Sequence, residues 1–571
     1  MSNTLFFVII NLPFELLLII FDIERVILMN KIKIFSLGGL NENGKNTYVV
    51  EVDNNIFVFD CGLKYANDTM FGIDYIIPDY SYLVNNKDRI VGIFLTHAHP
   101  ENMGGVFELC EMLPDIRVYC TKYTKKYLEL DGFKGNIYEV QAHKKITFGE
   151  LSLFPISVTH SVPDAVMYVI NTKDGAIVYT GDFIIDPTMQ GKYNMDIGKI
   201  AYIGKQGVLC MLSDSAFSEH EGHTSPKHRL VSFFRDVINR CEDRLIFTVL
   251  PMHLFTIEEI FEAAKNSHRK IVVMGKKLQS VINMAMEEGY LTIDKEILGD
   301  LTNVNDENSI LLVCDDKEKP YAQLDRIVGG YDKFIKLKKD DTIVFAEPRY
   351  DENEKIIVRL ENEIAMLGAE TISIPKDKEI SLHPSSEDLM LMIDLLKPKY
   401  YMPVEGEYRY MVNNANLANS LGIDEKNIIL KTNGEIVKIE NKKLIECFDK
   451  IEINDILIDG NSTDDIGELV IKDREMLSEN GIVLISATQS KETKEVLVGP
   501  EVTTRGFIYI KDSKEMIDEI KKISLNIIEN NTNNNYVDYN NIKVEIRENL
   551  SKYFYNETEC KPMIIAVIQE V

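Results

Sequence analysis

The chain has 571 residues, of which 45% are hydrophobic and 27% are charged, and its formal net charge is -27. At roughly 100 to 200 residues per domain, this length predicts about three to five domains. The composition excludes a disordered chain or a membrane protein as the bulk of the molecule. Because the negative charge repels polyanions at long range, any nucleic-acid binding requires a locally basic groove or bound metal ions.

Two features indicate the cellular compartment. The eight cysteines are scattered without a C-x-x-C pair, which predicts reduced thiols in a cytoplasmic protein and argues against thiolate zinc sites. The apolar run from Phe6 to Phe21 is interrupted by Pro13 and has neither the basic flank nor the cleavage site of a signal peptide. We interpret residues 1–28 as a start-site artefact, with the fold beginning at Met29. A membrane tether is the alternative, and no membrane partner is expected.

From Met29 onward, short apolar strands alternate with turns. Tyr48–Val52 and Ile56–Phe59 flank a tight turn, which predicts a hairpin that ends at Asp60. Further along, Met103–Met112 has helical periodicity.

Three later strands are each followed by side chains of types that can bind metals. They are Ile90–Leu95 before His97 and His99, Ile156–Thr159 before His160, and Ala176–Thr180 before Asp182. Three imidazoles and one carboxylate suit a single Zn²⁺, and an aspartate can bridge to a second ion. A His-x-His pair alone is common by chance, so the alternative is ordinary surface or core histidines. Five further histidines are interpreted as solvated or packing residues: His143, His220, His223, His228 and His268.

The second half of the chain changes rhythm. From Ser213 helices and strands alternate, which predicts an inserted α/β domain. Its predicted elements include Leu230–Asn239, Arg244–Val249, Ile257–Ala264 and Ile271–Met274. Strand and helix signals resume over Ile372 to Tyr410, a charged connector spans Lys438–Asp455, and a last α/β unit follows, with a surface loop predicted at Asn530–Asn535.

The order Asp60, His97-x-His99, His160 and Gly181-Asp182 resembles the successive motifs of the metallo-β-lactamase superfamily. Further segments are similar to the ribonuclease J family, and the resemblance spans residue 29 to the C-terminus. These segments are Leu37-Gly38-Gly39, Gly44-Lys45-Asn46, Thr159–Asp164, Thr180–Phe183, Leu212–Ser215, Leu396–Tyr400, Gly406–Arg409, Thr504–Phe507 and Lys561–Ile564.

This resemblance implies an α/β fold: an αββα metallo-β-lactamase sandwich split by an inserted α/β β-CASP domain, plus a small α/β C-terminal domain. The implied boundaries are 29–212 and 372–440 for the two parts of the metallo-β-lactamase domain, 213–371 for the β-CASP domain, 441–455 for a linker, and 456–571 for the C-terminal domain.

Members of the family use two metal ions to activate a water for attack on an RNA phosphodiester. The resemblance assigns the first ion to His97, His99, His160 and Asp182. The second set is altered, because Glu101 and Asn102 stand where the family's His-x-His-x-Asp-His has its last two residues, and Glu405 replaces the histidine of Val-His-Gly-Glu.

Together with Asp182, the three altered residues form an all-oxygen set, which suits Mg²⁺ or Mn²⁺ better than zinc. The alternative is simple decay of the second site. Glu101 carries one methylene more than aspartate, which can displace the attacking water by about an ångström and cost on the order of a hundredfold in rate.

The resemblance also implies substrate contacts. The family's Ser-Gly-His appears as Ser381-Leu382-His383, in which His383 is a candidate general acid and Leu382 places a side chain where backbone must approach the ligand. Met252-His253 stands for the family's Ser-Asn pair, and Asp315–Pro320 brings carboxylates to a phosphate-binding segment. RNA binding is therefore predicted to be weakened. Asp60 and Asp214 are predicted to orient the ligands.

Two functions follow from the resemblance. The first is a metal-dependent 5'-3' exoribonuclease, with endonuclease activity in addition, acting in RNA maturation and decay. The second is a catalytically weak or inactive structural or regulatory subunit. The implied partners are RNA and either a second copy or an active ribonuclease J, within an RNA-degradation complex in the cytoplasm. Catalytic roles are predicted for Glu101 and His383.

Overall fold

A computed structural model describes residues 30–66, 70, 72–314, 321–349, 353–378, 381–460, 468–507, 514–532 and 537–571. The apolar extension 1–28 and the acidic segment Asp315–Pro320 lie outside the described residues. Within these ranges, none of the helices combines the length and the apolarity needed to cross a bilayer. The chain divides into a large unit that extends to Asp455 and a smaller one that joins Ala66–Tyr75 to Ile456–Val571.

The first sheet of the large unit has eight strands. In spatial order they are Lys443–Ile445, Val437–Glu440, Lys31–Gly38, Thr47–Val52, Asn55–Phe59, Ile90–Phe94, Arg117–Cys120 and Asn136–Glu139. The predicted hairpin is confirmed, since Thr47–Val52 pairs antiparallel with Asn55–Phe59. At its turn Asp53 has a φ of 56°, a left-handed conformation that aspartate tolerates better than most residues.

The second sheet has six strands. In spatial order they are Tyr400–Pro403, Val208–Ser213, Gly175–Tyr179, Val166–Thr172, Leu151–Ser157 and Ile146–Phe148. Its inner face packs against the first sheet in one buried cluster, where the ring centroids of Phe59 and Tyr168 lie 5.8 Å apart. Burial of these two apolar faces against each other is the main favourable term for this domain.

Helices cover the outer faces of both sheets. Ile200 and Leu389 belong to the helices that pack on the second sheet, and the ring of Tyr82 contacts that of Phe35 on the first sheet at 5.0 Å. The helices of this domain are Ser81–Asn85, Pro100–Met103, Val106–Met112, Lys122–Leu130, Ile197–Gln206, Ser386–Leu396 and Tyr408–Ser420. The large unit therefore contains an αββα sandwich.

The helix predicted over Met103–Met112 is divided into two. Pro100–Met103 ends before Gly104 and Gly105, and the second helix begins at Val106. The break is caused by close packing, because the backbone amide of Gly105 donates to the carbonyl of Cys61 at 2.8 Å.

The inserted domain contains a five-stranded sheet in which all paired strands are parallel. In spatial order its strands are Ile271–Met274, Ile310–Val313, Leu245–Thr248, Thr342–Phe345 and Glu370–Ser373. The helices are Val231–Arg240, Leu254–Ala264, Lys276–Glu287, Ala322–Val328 and Glu354–Leu367. The apolar runs of the central strands reflect burial on both faces, as in other parallel sheets. The last strand extends slightly past the boundary predicted at residue 371.

The insertion leaves and rejoins the second sheet at neighbouring strands. Val208–Ser213 precedes it and pairs in parallel with Tyr400–Pro403, which follows it. The predicted linker 441–455 differs from the structure at its start, because Lys443–Ile445 pairs with Val437–Glu440 at the edge of the first sheet.

The smaller unit has its own core. Its sheet order is Val496–Arg505, Ile482–Gln489 and Met563–Glu570, and its helices are Glu468–Asn480, Lys514–Thr532 and Tyr539–Thr558. The loop predicted from Asn530 is helical as far as Thr532, while residues 533–535 lie outside the described part. The side chain of Asn531 donates to Glu545 at 2.8 Å, which ties this last turn to the next helix.

Short elements complete the described chain. The remaining strands are Lys64–Tyr65, Tyr75–Pro78 and Asp455–Ile458. The 3-10 turns are Lys87–Arg89, Gly191–Tyr193, Lys295–Ile297 and Glu425–Asn427.

Candidate metal centre

Asp60 holds the loop that carries the His-x-His pair. It follows a strand that lies parallel to Ile90–Phe94, so the carboxyl ends of both strands meet at one edge of the sheet. Its carboxylate accepts hydrogen bonds from the amide of Thr96 at 2.7 Å, Asn102 Nδ2 at 3.0 Å and the Tyr179 hydroxyl at 2.7 Å. Burial raises the pKa of Asp60 to about 6, against the lowering effect of these donors. The Asp60 carboxylate thus fixes the position of the loop that carries His97 and His99.

Hydrogen bonds determine which nitrogen each imidazole leaves open. His160 Nδ1 lies 2.9 Å from the carbonyl oxygen of Leu382, which only accepts, so Nδ1 carries the proton. His99 Nε2 lies 3.3 Å from the Met252 carbonyl and carries its proton for the same reason. His97 Nδ1 lies 2.9 Å from the Thr96 hydroxyl, whose own proton goes to Asp60. These assignments leave His97 Nε2, His99 Nδ1 and His160 Nε2 without protons, so the last two, which lie 3.2 Å apart, present lone pairs to each other.

The free nitrogens converge with Asp182. The ligand atoms of His97, His99, His160 and Asp182 all lie within 4.8 Å of one another. All four side chains are buried, and His97 Nε2 and Asp182 Oδ1 have no hydrogen-bond partner among the described residues. Burial lowers the pKa of each histidine well below its usual value, so the imidazoles stay neutral. Three neutral imidazoles, one carboxylate and orphaned buried atoms fit a Zn²⁺ ion.

A second group shares Asp182. Atoms of Asp182, His383 and Glu405 also lie within 4.8 Å of one another. Glu405 Oε1 accepts from Asn46 Nδ2 at 2.8 Å, while Oε2 is buried without a partner among the described residues. Burial raises the pKa of both carboxyl groups, and the charge of Asp214 raises that of Glu405 further. A cation between the two carboxylates would relieve this electrostatic cost.

Two residues predicted for the second ion, Glu101 and Asn102, lie in the short helix Pro100–Met103 that follows the His-x-His pair. Glu101 belongs to neither group of potential ligands in the described part of the chain. Asn102 turns its amide nitrogen towards Asp60, while its Oδ1 is buried without a partner among those residues. His383, which is predicted to contact substrate, lies beside the two carboxylates of the second group. Of the predicted second set, Asp182 and Glu405 belong to this group, and the roles of Glu101 and Asn102 stay predictions.

His383 is oriented by Asp214. Its Nδ1 donates to Asp214 Oδ2 at 2.8 Å, and Asp214 Oδ1 accepts from the amide of Ala216 at 2.8 Å. Burial lowers the pKa of His383, but the charge of Asp214 and this hydrogen bond outweigh burial and raise the pKa to about 9. The side chain of His383 is 20% exposed, against 3% or less for His97, His160 and Asp182. It is therefore the imidazole most open to a substrate.

The predicted substrate residues lie around the first group. Leu382 packs in an apolar cluster with Met189 and Phe255, so the expected obstruction of the ligand by its side chain is wrong. An apolar side chain is more stable in this cluster than facing the polar cleft. Ser381 is buried beside it. The ring of His253 lies 5.6 Å from that of His99.

Sequence reasoning missed several contacts. Thr96 precedes His97, and Ser161 follows His160. Ser161 Oγ lies 3.0 Å from His99 Nε2. Asn46 stands in a recognised motif, yet its contact with Glu405 spans 359 positions. Tyr179 had no signal beyond its place in a strand. None of the five histidines interpreted as ordinary belongs to a metal-binding group in the described chain.

Comparisons with known proteins agree with this architecture. A metallo-beta-lactamase superfamily model matches residues 40–195, a ribonuclease J beta-CASP domain model matches 242–364, and a ribonuclease J C-terminal domain model matches 469–571. A solved structure of a protein of unknown function from Enterococcus faecalis V583 has a TM-score of 0.51 at 16% identity, and covers 72% of this chain and 100% of its own. At that identity the likeness shows the fold alone. The predicted fold class is confirmed.

Two curated relatives match over 549 residues, or 95% of this chain. Ribonuclease J2 of Bacillus subtilis (strain 168) is 36% identical over 99% of its length. Ribonuclease J 2 of Staphylococcus aureus (strain NCTC 8325 / PS 47) is 33% identical over 98% of its length. The chain therefore belongs to the ribonuclease J family.

Proposed function

We propose that this protein is a metal-dependent hydrolase of RNA phosphodiester bonds, acting as a 5'-3' exoribonuclease in RNA maturation and decay. The observation that carries the proposal is the buried group of His97, His99, His160 and Asp182, in which each imidazole has one nitrogen that donates to a neighbour and one without a proton. Such preorganisation is expected of a working site, because orphaned buried atoms otherwise cost stability. The names of the two curated relatives support the same class of substrate.

A divalent ion held by this group would neutralise charge on phosphoryl oxygens and lower the pKa of an attacking water. The chain's own residues supply the remaining tasks. His383 stays protonated at neutral pH because its pKa is about 9, and Asp214 holds its Nδ1. Its Nε2 proton is then available to the phosphate or to the leaving oxygen, as a general acid requires.

For the second position we propose a hard cation such as Mn²⁺ or Mg²⁺. Asp182 and Glu405 offer carboxylate oxygens, and Asn102 has an uncommitted amide oxygen. Oxygen donors favour these ions over zinc. Metal analysis in Mn²⁺-supplemented buffer is expected to find more than one divalent ion per chain; one ion or fewer would contradict this assignment.

A second candidate function is a catalytically weak or inactive structural or regulatory subunit that pairs with an active ribonuclease J. One observation favours it: Glu101, the counterpart of the family's aspartate, stands outside both groups of potential ligands. On family grounds we also propose a second copy or a heteromeric ribonuclease J as partner, within an RNA-degradation complex in the cytoplasm. The domain boundaries that the resemblance implies are proposed on the same grounds.

Incubation with 5'-monophosphorylated RNA separates the two candidates. We expect the purified chain to degrade this RNA with Zn²⁺, Mn²⁺ or Mg²⁺, and the double variant His97→Ala, His99→Ala to lose that activity because it lacks two of the four ligands. Degradation that survives in the double variant would come from a contaminating nuclease. No degradation with any of the three metals would end the enzyme proposal for the isolated chain and favour the subunit.

A further inference from the structure

Glu405 is held in place by backbone contacts with a distant loop. Its φ of 59° lies in the left-handed region, which is costly for a residue with a side chain. The amide of Glu405 donates to the carbonyl of Gly39 at 2.9 Å, and Glu42 and Gly406 exchange two backbone hydrogen bonds at 3.1 Å. These hydrogen bonds to Gly39 and Glu42 hold the backbone around Glu405 in place despite the cost of this conformation.

Asn46 belongs to the same loop and adds the contact to the carboxylate itself. Its side chain is fully buried, and its Nδ2 donates to Glu405 Oε1 at 2.8 Å. The backbone amide of Asn46 donates to the carbonyl of Glu101 at 3.0 Å, and its carbonyl accepts from Gly62 at 3.0 Å. The Tyr48 hydroxyl, which donates to the Gly39 carbonyl at 3.1 Å, also lies 3.4 Å from Asn46 Oδ1. The amide nitrogen of Asn46 faces Glu405 because an ionised carboxylate only accepts. Asn46 therefore has little freedom to turn away.

We propose that Asn46 is a positioning residue that engages one oxygen of Glu405 and presents the other, Oε2, to a divalent cation at the second position. This inference rests on the proposed function, because it assigns the cation to the same site. Oε2 is buried and accepts from no donor among the described residues, whereas Oε1 accepts from Asn46. The carboxyl group of Asp182 contacts that of Glu405, and as an anion it has no proton to donate. Such asymmetry is expected of a carboxylate that offers a single oxygen to an ion.

Loss of the amide donor frees the Glu405 carboxylate to rotate and leaves Oε1 without its partner. Hydrogen-bonding partners of metal ligands typically contribute about 10- to 100-fold in metal affinity. We therefore expect Asn46→Ala to weaken Mn²⁺ binding at the second position by about tenfold or more. Zinc content at the His97 group should not change, because Asn46 contacts none of its histidines.

The test uses the full chain loaded with zinc and titrated with Mn²⁺ in a calorimeter. Asn30→Ala is the matched control, since Asn30 is also buried and its Nδ2 donates to a carboxylate oxygen, Asp53 Oδ2, at 2.6 Å outside the loop that holds Glu405. The control is expected to bind Mn²⁺ like the wild type. In a Glu405→Gln background, Asn46→Ala should have little further effect, because the two residues act through one hydrogen bond. Thermal melting establishes folding, and Asn46→Ser replaces the alanine variant if that variant does not fold.

Each outcome decides the proposal. Mn²⁺ affinity equal to that of the wild type in the folded Asn46 variant would overturn it, as would an equal loss in Asn30→Ala. Absence of a second ion in the wild type would also overturn it, whether or not RNA is cleaved with zinc alone. A wild type that binds Mn²⁺ through Asn46 and Glu405 but cleaves no RNA would leave the positioning role standing and end the enzyme proposal.

Discussion

Asp182→Asn is expected to release ions from both positions and to lower RNA hydrolysis by on the order of a thousandfold, which is the upper range for loss of one electrostatic stabiliser. Asp182 is the side chain common to the two groups of potential ligands. Asparagine keeps the shape but removes the negative charge that balances a buried cation. Metal analysis measures the first effect and degradation of 5'-monophosphorylated RNA measures the second.

The control for this variant is Asp196→Asn. Asp196 caps the helix Ile197–Gln206 by accepting from the amide of Lys199 at 2.8 Å. It belongs to neither group of potential ligands in the described chain. The Asp196→Asn variant is expected to lose no more than about 1 kcal/mol of stability and to keep its metal content unchanged. If Asp182→Asn retained its full complement of metal, the assignment of Asp182 to both positions would be wrong.

Arg244→Met is expected to destabilise the inserted domain by about 3–5 kcal/mol, the usual result of breaking a buried ion pair on one side. Arg244 and Asp341 are each 1% exposed and form a bidentate pair, with Nε and a terminal nitrogen at 2.8 and 2.5 Å from the two carboxylate oxygens. Arg244 also donates to the carbonyls of Val304 and Lys336. Its removal leaves the Asp341 charge buried and uncompensated.

Urea unfolding followed by circular dichroism measures the loss, with the transition of the inserted domain treated separately because a chain of several domains does not unfold in one step. The double variant Arg244→Met, Asp341→Leu is expected to recover a large part of the stability, since neither charge remains. Arg349→Met is the control, because Arg349 pairs with Glu354 at an exposed site and should contribute less than about 1 kcal/mol. Equal losses in Arg244→Met and Arg349→Met would disprove the role of the buried pair.

Local patterns in the sequence were sufficient for many elements of the fold. The hairpin Thr47–Phe59 and the strands that end near His97, His160 and Asp182 were all predicted, because alternating apolar residues and turn residues act over a few positions. Local patterns failed where a distant contact decides. Gly105, in the break after Met103, donates to the carbonyl of Cys61, and Asn531, in the last turn of Lys514–Thr532, donates to Glu545 in the next helix.

The same division holds for the candidate site. The order of motifs along the chain is visible without a structure, and it was enough for the family resemblance, the four residues of the first group and the pairing of Asp182 with Glu405. The place of His383 beside these two carboxylates, the absence of Glu101 from both groups and the bond from Asn46 to Glu405 became apparent only in the folded chain. Hydrogen bonds between residues hundreds of positions apart depend on how the two sheets and the inserted domain close around the site, which no local pattern encodes.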